Sequence, residues 1–271
     1  MLGRVSPATA LDELLAPLRA QPERSAILLD LDGTLAPIVR DPDTASVPEL
    51  TRRAVQDLTE RYALVGCITG RQASDARRIV GIGTIPYAGL HGAELLVRGA
   101  PKAVLDPEVE RWGARVAAAA DAVDEDALRA AGVRREDKGP IVALHWRGAD
   151  DEAAAVELAE TIGHDALAAG LAIHRGRRVI ELRPPVPIGK DGAVRRLLAR
   201  LDIGCALYLG DDRTDVDGFT ALRALVSDGR LERAVCLGVT SDETPPELVS
   251  AADAMVDGPL GVRRLLTALA L

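Results

Sequence analysis

The stretch Ile27-Leu28-Leu29-Asp30-Leu31-Asp32-Gly33-Thr34 decides how this chain is read. Three aliphatic residues running into an acid form the pattern of a short strand buried on both faces, as in a parallel sheet. In open parallel sheets ligands sit beyond the carboxyl ends of the strands. Residues two apart in extended chain point to the same side. Asp30 and Asp32 therefore share that crevice, and Gly33-Thr34 turns the chain away behind them.

Outward from this strand, the pattern alternates. Ser6-Pro7 opens a helix carrying Leu11, Leu14, Leu15 and Leu18, which Pro17 is expected to end or kink. Helical spacing over 48–60 and 72–80 separates apolar runs at 63–68 and 85–90. The rhythm returns late in the chain, with helices predicted at 190–201, 215–227 and 258–270 and strands at 205–209 and 234–239. Alternation of this kind implies an α/β fold with a Rossmann-like parallel sheet. The middle differs. A strand at 93–98 is followed by a helix opening at Asp106-Pro107, whose stripe is Val109, Trp112, Val116, Ala120 and Val123. A strand at 141–146, a helix at 151–168 and a hairpin about Arg175-Gly176 complete it. The expectation is a core of residues 1–95 and 186–271, interrupted by an α+β unit at 96–185. The chain leaves that unit through Pro184-Pro185-Val186-Pro187.

Composition narrows the function. Of 271 residues 48% are hydrophobic and 27% charged, too apolar for a disordered chain. Aromatics are only 2%, so the core is expected to be aliphatic and the chain is a poor candidate for stacking single-stranded bases. The formal charge of −8 argues against nucleic-acid partners. Cys67, Cys205 and Cys236 lie far apart in apolar runs, without a CxxC pair, and read as buried hydrophobes. No apolar run reaches the length of a membrane span, and Asp12 and Glu13 interrupt any signal-peptide pattern. A cytoplasmic enzyme without membrane partners is expected. The sequence leaves the oligomeric state open and favours a monomer.

A second apolar strand ends in acids, at Gly210-Asp211-Asp212. Carboxylates gathered at one sheet edge repel unless a cation lies between them, and hard oxygen ligands of this kind suit Mg²⁺. Thr69-Gly70-Arg71 follows Ile68 and offers a hydroxyl and amides at a helix start, an anion site. Lys190 opens a helix, the unfavourable end for a cation, which is explained if it faces a bound anion.

These residues carry a resemblance. Asp30-Leu31-Asp32-Gly33-Thr34-Leu35, Thr69, Lys190 and Gly210-Asp211-Asp212-Arg213-Thr214-Asp215 resemble, in order, the four motifs of the haloacid dehalogenase-like phosphatases. A narrower likeness to trehalose-6-phosphate phosphatases lies in Leu35-Ala36-Pro37-Ile38-Val39 with Asp41-Pro42-Asp43 and Ala45. It continues in Gly89-Leu90-His91-Gly92-Ala93-Glu94, Lys138-Gly139 with His145 and Arg147, Glu181-Leu182-Arg183-Pro184, and the last motif through Phe219. It spans about residues 25–260. Two departures stand out: Val216 where that family carries an acid, with Asp217 next, and Asp191 before Gly192 where it carries Gly.

The resemblance implies a Mg²⁺-dependent phosphatase acting on trehalose 6-phosphate through an aspartyl-phosphate, with the inserted unit as a cap. Asp30 would be the nucleophile and Asp32 the acid and base, with Thr69 and Lys190 assisting. Asp30, Asp211 and the Asp32 carbonyl would hold the metal, with Asp212 and Asp215 behind them. Asp32, Gly33, Thr69, Gly70, Arg71 and Lys190 would bind phosphate. Lys138, His145, Arg147, Glu181 and Arg183, with His91 and Glu94, would read the sugar. Competing readings are another sugar phosphate (sucrose phosphate, a glycosyl-phosphoglycerate or a pseudo-disaccharide phosphate), a weakly catalytic sugar-phosphate-binding regulator, or a phosphomutase.

Overall fold

The structure, a computed structural model, describes residues 7–39 and 44–271. Ser6 and the stretch Asp41-Pro42-Asp43 lie outside the described residues. In chain order the elements are α1 (Pro7–Ala20), β1 (Ser25–Leu29), α2 (Glu49–Arg61), β2 (Leu64–Ile68), α3 (Ala73–Val80), β3 (Tyr87–Gly89), β4 (Glu94–Leu96) and β5 (Val104–Leu105). Next come α4 (Pro107–Glu110), α5 (Gly113–Asp121), α6 (Glu125–Ala130), β6 (Arg134–Asp137), β7 (Val142–His145), α7 (Glu152–Ala168), β8 (Ala172–Gly176) and β9 (Val179–Arg183). The chain ends with α8 (Lys190–Leu198), β10 (Cys205–Gly210), α9 (Asp215–Ser227), β11 (Arg233–Val239), α10 (Pro246–Ala251), β12 (Ala254–Val256) and α11 (Gly258–Ala270). It forms two compact units, Met1–Val104 with Ile188–Leu271, and Leu105–Pro187.

The first unit is built on an eight-stranded sheet of order β12-β11-β10-β1-β2-β3-β4-β5. Its strands from β12 to β3 pair in parallel, and β4 runs antiparallel to β3. Every residue of β1 is buried, which accounts for the apolar run from Ala26 to Leu29. Ile27 and Leu29 point to one face and pack with Leu18, Val55, Leu58 and Leu266. Leu28 points to the other and packs with Tyr208, Phe219 and Leu222. Each such side chain contributes about 1.5–3 kcal/mol when fully buried. Cys67, Cys205 and Cys236 are buried and unbonded to one another, serving as core atoms.

The second unit has a four-stranded antiparallel sheet of order β6-β7-β9-β8. Val142, Leu144, Ile180 and Leu182 turn one face toward Val116 of α5 and Ala155 and Ala159 of α7. No described helix is long and apolar enough to cross a membrane.

Several elements differ from the sequence reading. Helix α1 runs through Pro17 to Ala20. Pro17 deprives one carbonyl, that of Glu13, of its helical partner, and buried Leu15 and Leu18 hold the helix on the core. Residues 96–104 stay with the first unit because β4 and β5 extend its sheet, so the inserted unit begins at Leu105. The helix expected from Asp106 breaks at Trp112 into α4 and α5, and a separate α6 follows. In the acidic run Asp121–Asp126, Asp124 caps α6 by accepting from the Asp126 and Ala127 amides. The hairpin of β8 and β9 turns at Arg177-Arg178, not at Arg175-Gly176, with Arg178 left-handed at φ +55°.

Candidate active site

Register in the first sheet gathers the motif residues. Leu29 of β1 is level with Leu209 of β10 on one side and Cys67 of β2 on the other. The residues just beyond these strands therefore share one edge: Asp30, Asp211 and Thr69. The Asp30 amide still reaches back to the Leu209 carbonyl at 2.9 Å, which fixes the backbone from which its side chain springs.

Lys190, first residue of α8, is buried and not a solvated surface lysine. Its Nζ donates to Asp30 Oδ1 and to Asp215 Oδ1, both at 2.6 Å. Asp215 is fully engaged by the protein. Its Oδ1 also accepts from the Tyr208 hydroxyl at 2.9 Å, and its Oδ2 accepts from the amides of Asp211 and Asp212 at 3.0 Å each. The Asp211 carboxylate accepts no hydrogen bond among the described residues, and it lies against Gly33. A Cβ at Gly33 would overlap it, and Gly33 has φ +83°, so the motif needs glycine there on two counts.

Burial dominates the electrostatics. It pushes the Asp30 carboxyl well above its ordinary value; Lys190 pulls it back, while Asp215 and Asp211 add to the rise. Burial, then the Asp215 and Asp212 carboxylates, push Asp211 up to about 8. Burial alone would lower the Lys190 ammonium, but Asp215 and then Asp30 outweigh it and hold it well above the ordinary value. Asp30, Asp211 and Asp215 each place a carboxylate oxygen within 4.8 Å of the others. Three buried carboxylates against one ammonium leave a deficit of positive charge, and hard oxygen donors at this spacing fit a divalent cation such as Mg²⁺.

The loop after β2 is arranged differently from the expected anion site. Thr69 is buried, and its Oγ1 accepts from the Arg71 amide at 3.2 Å. Helix α3 starts only at Ala73, and its first amide donates to Glu94 Oε1 at 2.5 Å. Glu94, expected to read sugar, thus caps α3 from the neighbouring strand. Arg71, expected to meet phosphate, pairs with Asp32: its Nε and Nη2 donate to the two carboxylate oxygens, each at 2.7 Å. Leu90 and His91 are both left-handed, at φ +51° and +56°. Such backbone costs about 1–3 kcal/mol per residue and clusters at functional sites. It brings the His91 ring over Gly70, where a Cβ would come within 2.6 Å of Nε2. Asp212 turns toward Thr214, whose amide and hydroxyl donate to its Oδ1.

The second unit collects its predicted residues on one sheet face. Glu136, Ala143, Glu181 and His174 lie in one cross-strand row. Strand alternation puts Lys138, His145 and Arg183 on that same side. Lys138 Nζ donates to Glu181 Oε1 at 3.1 Å, and Arg183 Nε donates to Glu181 Oε2 at 2.8 Å, all three being buried. His145 Nε2 lies 2.8 Å from Glu136 Oε2. That bond holds the Glu136 carboxyl down at about 2 against the upward push of burial. Arg147 is exposed in the turn after β7.

Sequence reasoning missed Tyr208 and Glu136. Tyr208 sits in an apolar strand and reads as core; its signal was a hydroxyl that a buried position obliges to find a partner. Glu136 sits in an all-charged strand without alternation.

A parallel sheet whose central strand ends at Asp30 is also the fold of a haloacid dehalogenase-like hydrolase from Bacteroides thetaiotaomicron, at a TM-score of 0.62 and 12% identity, covering 90% of this chain and 99% of that one. The C-terminal domain of trehalose-6-phosphate phosphatase from Candida albicans shares this fold, at a TM-score of 0.75 and 24% identity, covering 95% of this chain and 96% of that one. A family model described as trehalose-phosphatase matches residues 28–244, and the chain belongs to that family. It is 34% identical over 212 residues to the trehalose-phosphate phosphatase of Mycobacterium marinum, covering 73% of this chain and 52% of that protein. It is 33% identical over 216 residues to an uncharacterized glycosyl hydrolase of Mycobacterium tuberculosis, covering 74% of this chain and 15% of that protein. The chain thus spans less than two thirds of either relative.

Proposed function

We propose that the chain is a Mg²⁺-dependent phosphatase that hydrolyses trehalose 6-phosphate to trehalose and phosphate. The observation that carries this is the Asp30–Lys190–Asp215 chain of bonds beside the buried Asp211 carboxylate. Family membership supplies the substrate class. Asp30 keeps Oδ2 for attack because Lys190 occupies Oδ1. Attack forms an Asp30–phosphorus bond and breaks the bond from phosphorus to the sugar oxygen, which takes a proton from the Asp32 carboxyl. Asp32 then removes a proton from water, whose oxygen displaces the Asp30 oxygen from phosphorus and restores both carboxyl groups.

Two unit charges about 4 Å apart repel by ~4 kcal/mol at an effective dielectric of 20, so an anion attacking a phosphate needs counter-charge. Lys190 supplies one such charge, and Asp215, held by Tyr208 and two amides, aims it. The Asp30 and Asp211 carboxylates and the Asp32 carbonyl would hold Mg²⁺, which would supply further counter-charge for the phosphate. Asp215 spends its oxygens inside the protein and therefore acts behind the metal ligands. Thr69 retains its hydroxyl proton for a phosphoryl oxygen. The second unit serves as the cap domain that reads the sugar, with Lys138, Glu181 and Arg183 facing hydroxyls.

Phosphate release from trehalose 6-phosphate, with Mg²⁺ and with chelator, tests this beside glucose 6-phosphate, sucrose 6-phosphate and p-nitrophenyl phosphate. Fast, Mg²⁺-dependent release from trehalose 6-phosphate over the others supports it. Release from another sugar phosphate in its place moves the substrate, and activity undiminished by chelator removes the metal.

A further inference from the structure

Arg71 and Asp32 meet side by side. Nε and Nη2 of the guanidinium each donate to one carboxylate oxygen, both at 2.7 Å. Among the described residues nothing else bonds the Asp32 carboxylate. Asp32 stands past the end of β1, its backbone bridged to Ala36 across the turn that Gly33 makes with φ +83°, and the Arg71 fork is what holds its carboxylate. Arg71 is itself pinned. Its amide donates to Thr69 Oγ1 at 3.2 Å, and its carbonyl accepts from the Leu90 amide at 2.8 Å.

We propose that Arg71 is a positioning residue for Asp32, its guanidinium fork fixing the plane and aim of the carboxylate that passes the proton. The inference rests on the phosphatase reading above. A single hydrogen bond leaves a carboxylate free to rotate, whereas two parallel bonds from a planar fork do not. Each carboxylate oxygen carries two lone pairs, so Oδ1 and Oδ2 each keep one after accepting from Arg71. The fork therefore holds Asp32 without consuming its capacity for proton transfer. A guanidinium already committed in this way is a poor fit to the role of free phosphate ligand.

Leaving groups separate the two roles. Nitrophenolate departs without a proton, and a sugar alkoxide needs one. Arg71→Ala, Arg71→Lys and Asp32→Asn are compared with wild type by rapid mixing with p-nitrophenyl phosphate and with trehalose 6-phosphate, folding being checked by circular dichroism. For Arg71→Ala the expected first-turnover burst of nitrophenolate stays within about threefold of wild type. First-turnover release of trehalose slows roughly 10- to 100-fold, a fraction of the 10²–10⁴ that general acid catalysis supplies. Asp32→Asn shows the same split, deeper. Arg71→Lys falls with Arg71→Ala, because one ammonium cannot hold both oxygens.

Equal slowing of both first turnovers, with weaker binding of inorganic phosphate, overturns the inference and makes Arg71 a phosphate ligand. Unchanged rates in Arg71→Ala overturn it as well. A wild type that cleaves p-nitrophenyl phosphate but not trehalose 6-phosphate displaces only the substrate, and the same comparison is read with glucose 6-phosphate. A wild type inert toward every phosphate monoester overturns the phosphatase reading and this inference together.

Discussion

The two buried charge clusters are opposite in sign. In the first unit Lys190 stands against Asp30, Asp211 and Asp215, one cation among three carboxylates. In the second unit Glu181 stands between Lys138 and Arg183, one carboxylate between two cations. Unbalanced charge is costly away from water. In the first cluster burial first, and then the neighbouring carboxylates, push Asp30 and Asp211 upward, so full ionisation of the three acids is disfavoured there. The second has no such outlet through Arg183, since arginine does not lose its proton in proteins. Under the proposed function, the deficit of positive charge in the first cluster would receive a metal cation, and the donors of the second would receive sugar oxygens.

The strongest way to break this contrast is at the nucleophile. Asp30→Asn is expected to lower phosphate release by at least about 10⁴-fold with the fold intact, as removal of a covalent nucleophile does. Substantial residual turnover would move the nucleophile elsewhere. Next comes the carboxylate that joins Lys138 and Arg183 in the second unit. Glu181→Gln leaves Lys138 and Arg183 buried against a neutral amide, and is expected to cost about 3–5 kcal/mol in urea unfolding. A loss near zero would show that the two cations are not held by Glu181.

Acid–base behaviour sharpens the comparison at smaller amplitude. Asp211 is raised from 3.8 to about 8, so without metal the folded state keeps a proton that the unfolded state has released. Stability from this source is present at low pH and is lost as pH rises toward about 8. The melting temperature of chelated protein is expected to fall across that window, and Asp211→Asn to flatten the fall. Mg²⁺ restores the wild type at the upper end and does nothing for the variant. Glu136 is the reverse case, lowered from 4.5 to about 2 chiefly by His145. Its contribution is present above pH 4.5 and lost as pH falls through about 2. Because the pair is partly exposed, Glu136→Gln is expected to remove less than about 1 kcal/mol, read as a small change in the acid-unfolding midpoint.

What the sequence disclosed followed how strongly local pattern constrains structure. β1, β2 and β10 are buried on both faces, so an apolar run ending in Asp30, Thr69 or Asp211 marked strand and site edge together. Lys190 was legible as a cation at the wrong end of a helix. The rest depended on contacts distant in sequence. Glu94 looked like a recognition residue because nothing local says that α3, 21 residues away in sequence, lacks an N-terminal cap. The pairing of Arg71 with Asp32, 39 residues away, was equally invisible. β6, with the sequence Arg-Arg-Glu-Asp, has no apolar alternation; it is a strand only because β7 pairs with it.

The place of β1 in the sheet has a consequence for how the molecule is made. Its two neighbours come from opposite ends of the chain: β2, which closes at Ile68, and β10, which closes at Gly210. On a ribosome, β1 and β2 emerge early, while the partner for the other side of β1 is still untranslated. From the emergence of β2 until that of β10, the apolar strand that leads to Asp30 thus has one row of amides and carbonyls open. Such edges invite pairing with other chains. Pairing of β1 with β10 is also the longest loop closure between neighbours in this sheet, and it is the pairing that brings Asp30 and Asp211 to one edge.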